Sequence, residues 1–430
     1  MFHVRLTPRT FTPRYNAALG LVARRFPKAI LQTVQLEATG DGRGFLRASD
    51  SEAWAEVEVP LAKVLEPGVV QLPEQFPKLL KEASKAPSIR VEEVPVETIP
   101  AKPDPNARTR KLLIETRAST SSLATFDPEQ FPTWPEEPVT AVVEVASWRL
   151  VRLIDRTQFA VDEDSTRYAL GGMAIEADGG QLHLVATDGR RLSHAFEPAA
   201  GGLTPAAGTE DHPLAPVVPR KALRALAATL DAMTPTNLRL GFTEGGRLVA
   251  EAKGLRFRAR QIEGRFPSWR QVFPGDPAAT AARVLDAPRL AKALREALKF
   301  TTRSRRAVKL TLHGHIVRLD AENDDATFAS EVAAAVQNVS ADRERPASVS
   351  LDVSYLVGFL DALGRAEFTL RFPAEKGQPL LCETPGIEDG VRFLLMPMDR
   401  DEPAAPPREQ APSSDQDEPP AEEARRSKTA

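Results

Sequence analysis

Two kinds of hydrophobic spacing alternate along the chain. Period-two runs predict strands at Ile30–Ala38, Gly44–Val59, Lys111–Phe126, Tyr168–Ala177, Leu182–Ala186 and Arg191–Phe196. Three more fall within Leu238–Gln261, followed by Val308–Leu312, Ile316–Asp320, Thr327–Val332 and Val391–Met396. Helical spacing predicts Asn16–Arg25, Leu72–Ala86, Ser147–Gln158, a helix opened by Pro219 and running to Met233, Pro288–Arg303 and Val353–Leu363. Asp286 and Asp352 are placed to cap the last two, and Gly364 to stop the final one. Val91–Arg110, with four prolines, and Gly201–His212 read as loops. The order helix, strands, helix, strands recurs three times.

One stretch ties the recurrences together. Leu182–Phe196 reads as a hairpin turning at Asp188-Gly189, where Gly supplies the positive φ that such a turn needs. Ala48-Ser49-Asp50 and Asn323-Asp324 sit in comparable settings. The aspartates 50, 188 and 324 are 138 and 136 residues apart. Phe131-Pro132-Thr133-Trp134 and Phe266-Pro267-Ser268-Trp269 echo each other at a spacing of 135. Two motifs sharing one period imply a module written three times. The expected boundaries are 1–138, 139–274 and 275–400, with 401–430 as a disordered acidic, proline-rich tail. The fold class expected is α+β.

Composition changes this picture little. The net charge of -3 would argue against a nucleic-acid partner, but the tail carries eight acids against four bases, leaving residues 1–400 at +1. The distribution of charge therefore decides. One cysteine, Cys382 in an apolar run, excludes an internal disulfide and reads as a buried, inert thiol. No leader-like or membrane-spanning run is present, and a cytoplasmic location is expected.

No catalytic constellation stands out. Phosphate-loop, GxSxG, HExxH and paired CxxC patterns are missing, six histidines are scattered, and His313 and His315 flank a turn glycine. Asp188 and Asp324 read as turn residues. No cofactor or metal is expected. The informative charges are on helices: Arg149, Arg152 and Arg156; Lys78, Lys81 and Lys85; Lys292, Arg295, Lys299 and Arg303; Arg220 and Arg224. Their spacing sets each group on one stripe, away from the apolar face, as suits contact with duplex phosphates without reading bases. The run Phe393-Leu394-Leu395-Met396-Pro397-Met398 reads as a buried strand whose end could line an adaptable groove.

RTQFAVDEDSTRYALGGM, VATDGRRLS, IEGRFPSWRQVFP and FLLMPM, in this order, resemble the beta subunit of bacterial DNA polymerase III, the sliding clamp. The resemblance covers about residues 1–398 and is strongest in the second module. It implies a non-catalytic processivity protein with three clamp-type domains of two helices and antiparallel sheets each. Two chains would form a closed homodimeric ring around duplex DNA, helices lining the hole. It implies partner peptides in a groove of Leu170, Thr187, Gly189, Arg190, Arg191, Leu192, Pro267, Val272, Tyr355, Leu394, Leu395, Met396, Pro397 and Met398. The partners implied are the polymerase III catalytic subunit, the clamp loader, and other polymerases and repair proteins carrying a short apolar motif. It adds Arg24 or Arg25 and the Arg167-Tyr168 loop as DNA contacts, and Leu123 with Phe300 at the dimer interface, where Ser121 stands at a position the family gives to an aromatic. Gln271 replaces a family Arg, Arg190 a His, and the tail is an addition. Two other readings fit less of the chain: a diverged paralogue recruiting repair or partition factors, and an enzyme on an unfamiliar α+β scaffold.

Overall fold

Proline and aromatic residues settle where the first helix lies. In the computed structural model, α1 spans Pro8–Leu19, with Pro8 at a first-turn position that leaves no N–H unpaired. Phe11 and Tyr15, one turn apart, are fully buried, their rings 5.8 Å apart, and Phe76 meets both edge-on. Burial of that trio outweighs the hydrogen bond lost at Pro13. The helix expected at Asn16–Arg25 therefore begins eight residues early. The structure describes residues 2–22, 28–73, 75–82, 89–94, 108–116, 119–162, 168–203, 206–209, 212–274, 280–284, 286–302, 306–338, 347–386 and 389–398.

The other helices are α2 (Phe76–Glu82), α3 (Ser147–Thr157), α4 (Arg220–Met233), α5 (Ala287–Leu298) and α6 (Val353–Leu363). Leu72 is not in α2 but ends the strand Gly68–Leu72, because Pro73 favours extended backbone at the residue before it. Pro219 closes the strand Val217–Pro219 and stands just before α4. Asp286 Oδ1 accepts from Arg289 N at 3.0 Å, and Asp352 Oδ1 from Ser354 N at 3.0 Å, so both caps form. α5 stops at Leu298, short of the Arg303 expected.

Ladders between strands of the described residues are antiparallel and make four sheets of thirteen, nine, four and two strands. Ile89–Val94 is a strand, paired to His3–Leu6 and Arg110–Glu115, where a loop from Val91 was expected. Its alternation before Pro95 explains this; residues 95–107 of that loop lie outside the described residues. Within the second expected loop, Ala206–Thr209 pairs with His212–Leu214. Among the described residues no helix is long and apolar enough to cross a membrane.

Three hairpins share one turn chemistry. Asp50 Oδ1 accepts from the N–H groups of Glu52 and Ala53 at 3.1 and 2.8 Å. Asp188 Oδ1 does the same for Arg190 and Arg191 at 2.9 and 3.0 Å. In the third hairpin the acceptor is Asn323, reaching Asp325 N and Ala326 N at 2.9 and 2.8 Å; Asp324 is one residue off. The connection at Asp188 is wider than a two-residue turn, since Thr187 faces Leu192, and Gly189 takes φ 85° within it.

The returning strands have different neighbours. Ala53–Glu66 pairs outward with Leu255–Arg260, and Arg191–Pro198 with Gly390–Leu395. Among the described residues Thr327–Ala333 pairs only with Ile316–Glu322, and Thr120–Thr125 only with Arg110–Glu115. Behind the sheets the main core includes Phe359 and Phe393, stacked at 4.9 Å, and fully buried Cys382, whose thiol burial pushes well up. Asp352→Ala should cost about 1–2 kcal/mol in urea unfolding, since both the N–H and the hydroxyl of Ser354 lose their acceptor; Asp352→Asn should cost less.

Candidate functional site

The end of the chain's last strand and the second hairpin build one surface. Arg191–Pro198 pairs with Gly390–Leu395 so that Leu192 faces Leu394. Met396 N then donates to Arg190 O at 2.9 Å and Met398 N to Ser350 O at 2.8 Å, pinning Met396-Pro397-Met398 along the turn. Leu192 and Leu394 join Ala174, Val185, Phe266 and Trp269 in an apolar cluster separate from the main core. Above it Val272 and Met396 are 50% and 44% exposed, a standing cost for large apolar groups. Pro267 is exposed beside buried Phe266 and Trp269. Thr187 Oγ1 donates to Arg191 O at 2.6 Å and accepts from Gly189 N at 3.1 Å. The Arg191 guanidinium is held by Asp188 at 3.0 Å and lies 4.4 Å from the Tyr355 ring. Leu170 is buried, and Gly189 and Arg190 are exposed on the rim. Leu395 does not belong with the other groove residues: strand alternation turns it into the main core. Arg270, next to Gln271, is pinned back by Glu176 and by Asp178 at 2.7 Å.

The helical stripes are less uniform than their spacing suggests. Glu197 is fully buried on the hairpin's second strand and accepts from Arg152, with Arg149 3.9 Å away. Arg152 also reaches Asp389 at 2.8 Å. Arg156 is half-buried, and burial, with Arg152 beside it, lowers its pKa. This triad is thus partly a structural clamp on a buried carboxylate. Lys78, Arg224 and Lys292 are exposed, Arg295 pairs with Asp361, and Arg220 is half-buried. Arg24, Arg25, Arg167 and the side chains of Lys81 and Tyr168 lie outside the described residues. Lys221, which the stripes omit, bridges from α4 to Asp50 at 2.6 Å. Leu123 is half-buried on Thr120–Thr125, and Phe300 stacks on Phe328 at 5.0 Å.

A buried histidine pair underlies the groove. His183 Nδ1 and His194 Nε2 are 3.0 Å apart, His183 Nε2 is 3.0 Å from Asp178, and the His194 ring lies 4.3 Å from Trp269. Burial, reinforced by His183, Arg392 and Arg270, pushes the His194 pKa down to about 2. Burial also lowers His183, against the pull of Asp178. Reading histidines singly hid the pair; the hairpin register, with Val185 opposite His194, would have found it.

Residues 144–268 match the family model described as DNA polymerase III beta subunit, central domain. The Beta sliding clamp of Pseudomonas aeruginosa is 28% identical over 387 residues, 88% of this chain and 95% of that protein. In sequence, then, the chain is similar to the beta sliding clamps. A crystal structure of the DNA polymerase sliding clamp from Pseudomonas aeruginosa superposes with a TM-score of 0.74 at 23% identity, covering 93% of this chain and all of that one. The DNA polymerase III beta subunit from Thermotoga maritima gives 0.75 at 17% identity, with 93% and 100% covered. At those identities the clamp structures establish the fold.

Within this sliding-clamp fold the histidine pair makes the groove floor acid-sensitive. The His194 ring folds neutral, its pKa held far below the unfolded value near 6.5, so its contribution is complete above that value and is lost progressively as pH falls below it. Unfolding free energy should drop by up to about 1.4 kcal/mol per pH unit below pH ~6.5, and His194→Phe should flatten that dependence in a denaturation series.

Proposed function

We propose that this chain is a DNA sliding clamp: a non-catalytic, homodimeric ring that encircles duplex DNA and tethers the replicative polymerase. Its domains are 1–138, 139–274 and 275–400. The observation that carries the reading is the order of sheet neighbours. The returning strand of the first hairpin takes the last strand of the second domain, and that of the second hairpin takes the last strand of the third. Continued once more, the third hairpin's Thr327–Ala333 takes the last strand of a first domain, Thr120–Thr125, from a second copy. Heterologous contacts of this kind close into a ring when the rotation permits.

The register supports it. Ala53 and Arg191, each three residues past the turn acceptor, face Ala259 and Leu395. Carrying Ala259 back by the 135-residue spacing of Trp134 and Trp269 gives Ala124. Ala326, three past Asn323, then faces Ala124, and Thr327 faces Leu123, to within one residue. Phe300 and Phe328 stand behind that edge.

Tethering multiplies effective concentration, so a released polymerase rebinds the same template. Exposed Lys78, Arg224 and Lys292, with the helical arginines, supply weak phosphate contacts compatible with sliding. The groove at Val272 and Met396 takes a short apolar peptide from the polymerase III catalytic subunit, the clamp loader, or other polymerases and repair proteins. Such work belongs in the cytoplasm, where the chromosome is.

Val272→Asp with Met396→Asp should weaken binding of such a peptide by at least about thirtyfold, with no loss of thermal stability, because both side chains are exposed; unchanged affinity in a fluorescence-polarisation titration would remove the groove. Neutralising Lys78, Arg224 and Lys292 to Gln should flatten the salt dependence of DNA binding, by about 0.9 in log–log slope for each phosphate no longer neutralised, while an unaltered slope places these residues away from DNA.

A further inference from the structure

The Phe131-Pro132-Thr133-Trp134 echo also lines a cleft. About 570 Å³ in volume, the cleft is bounded by Trp54, Phe131, Pro132, Trp134, Arg47 and Arg256. It occupies, at the joint of Ala53–Glu66 with Leu255–Arg260, the place the docking groove occupies at the joint of Arg191–Pro198 with Gly390–Leu395. The cross-strand pairs show the equivalence. Gln35 faces Arg47, Arg47 faces Glu56 and Trp54 faces Arg258; at the second junction Ala174 faces Val185, Val185 faces His194 and Leu192 faces Leu394. At the positions where the groove has Ala174, Val185, Leu192 and Leu394, this cleft has glutamine, an indole and guanidiniums.

Its chemistry is lopsided in one respect. Among the described residues, Trp54 Nε1 and Trp134 Nε1 are covered and meet no acceptor, and nearby Gln71 Nε2 and Arg258 Nε are in the same condition; all four are donors. The charges, by contrast, are balanced locally: Arg47 pairs with Glu37 and Glu56 at 2.6 Å each, and Arg256 with Glu136 at 3.0 Å. The guanidiniums of Arg256 and Arg258 lie 4.7 and 5.6 Å from the Trp134 ring and steady it. Both tryptophans are only half-buried, so a small ring rotation brings either N–H to the cleft surface. The fitting occupant is apolar, uncharged, rich in carbonyl acceptors and poor in N–H donors. A proline-rich segment in the polyproline II conformation has those properties, and aromatic-lined grooves are its usual receptors.

We propose that the Trp54–Trp134 cleft is a second docking site, taking a proline-rich, polyproline II segment of a partner protein. The comparison rests on the peptide-groove reading of the second junction, and the test separates the two. The chain has four tryptophans, and Trp269 at the groove donates to Glu176 at 2.9 Å, so the indole N–H resonances report both places at once. The full-length protein is titrated with a capped peptide of about ten residues, proline-rich with leucine at every third position, which one face of polyproline II presents. The control replaces its prolines with alanine.

The expected result is movement of the Trp54 and Trp134 indole signals, assigned by Trp54→Phe and Trp134→Phe, with Trp269 unmoved. The double Phe variant keeps the rings and loses both donors, and should bind about tenfold more weakly. Movement of Trp269 alone, equal response to the alanine peptide, or undiminished binding by the double variant would each overturn the proposal. An apolar partner peptide that leaves Trp269 unmoved would count against the groove instead, whatever Trp54 and Trp134 do.

Discussion

A β-strand edge exposes a row of N–H and C=O groups that must find partners, and this chain is arranged around that requirement. Twice the returning strand of an Asx-turned hairpin is completed by a strand from some two hundred residues further on, Leu255–Arg260 for Ala53–Glu66 and Gly390–Leu395 for Arg191–Pro198. These ladders join distant parts of the chain in continuous sheets. The groove, the cleft and the helical faces are placed by those two joints. Among the described residues the same requirement is left open at Thr327–Ala333 and Thr120–Thr125, the two edges proposed above to meet between copies.

Electrostatics is subordinate to that frame. Glu197 is buried on a joint strand, and Arg149 and Arg152 gather around it. Their charge is thereby partly spent within the protein, so under the proposed function the weak phosphate contacts fall to the exposed cations of other helices. At the groove the order is similar: Asp188 orients the turn and Arg191, and Val272 and Met396 stay exposed beside them.

Much of this was legible in the sequence because it depends on local rules. Period-two runs found the hairpins, and Asp286 and Asp352 announced their helices. The misses have physical reasons. Pro73 makes Leu72 extended, and a buried aromatic trio draws α1 toward Pro8, neither of which spacing alone reveals. Asn323 serves as the turn acceptor in place of Asp324 because an amide oxygen caps the loop as well as a carboxylate does. Glu197 beneath the arginines and the His183–His194 pair are contacts between strands or across a helix and a sheet, invisible until register is known. Leu395 parts from Leu394 because adjacent strand positions face opposite ways.

The central claim is that the two open edges meet between copies. Cysteines placed at Leu123 and Thr327, with the native Cys382 buried and inert, test it most directly. Under mild oxidation the double-cysteine protein is expected to form a covalent dimer of twice 46.9 kDa, closed at both joints and trapped on circular DNA when cross-linked in its presence. A monomer that resists cross-linking and has a solution mass of one chain would contradict the account.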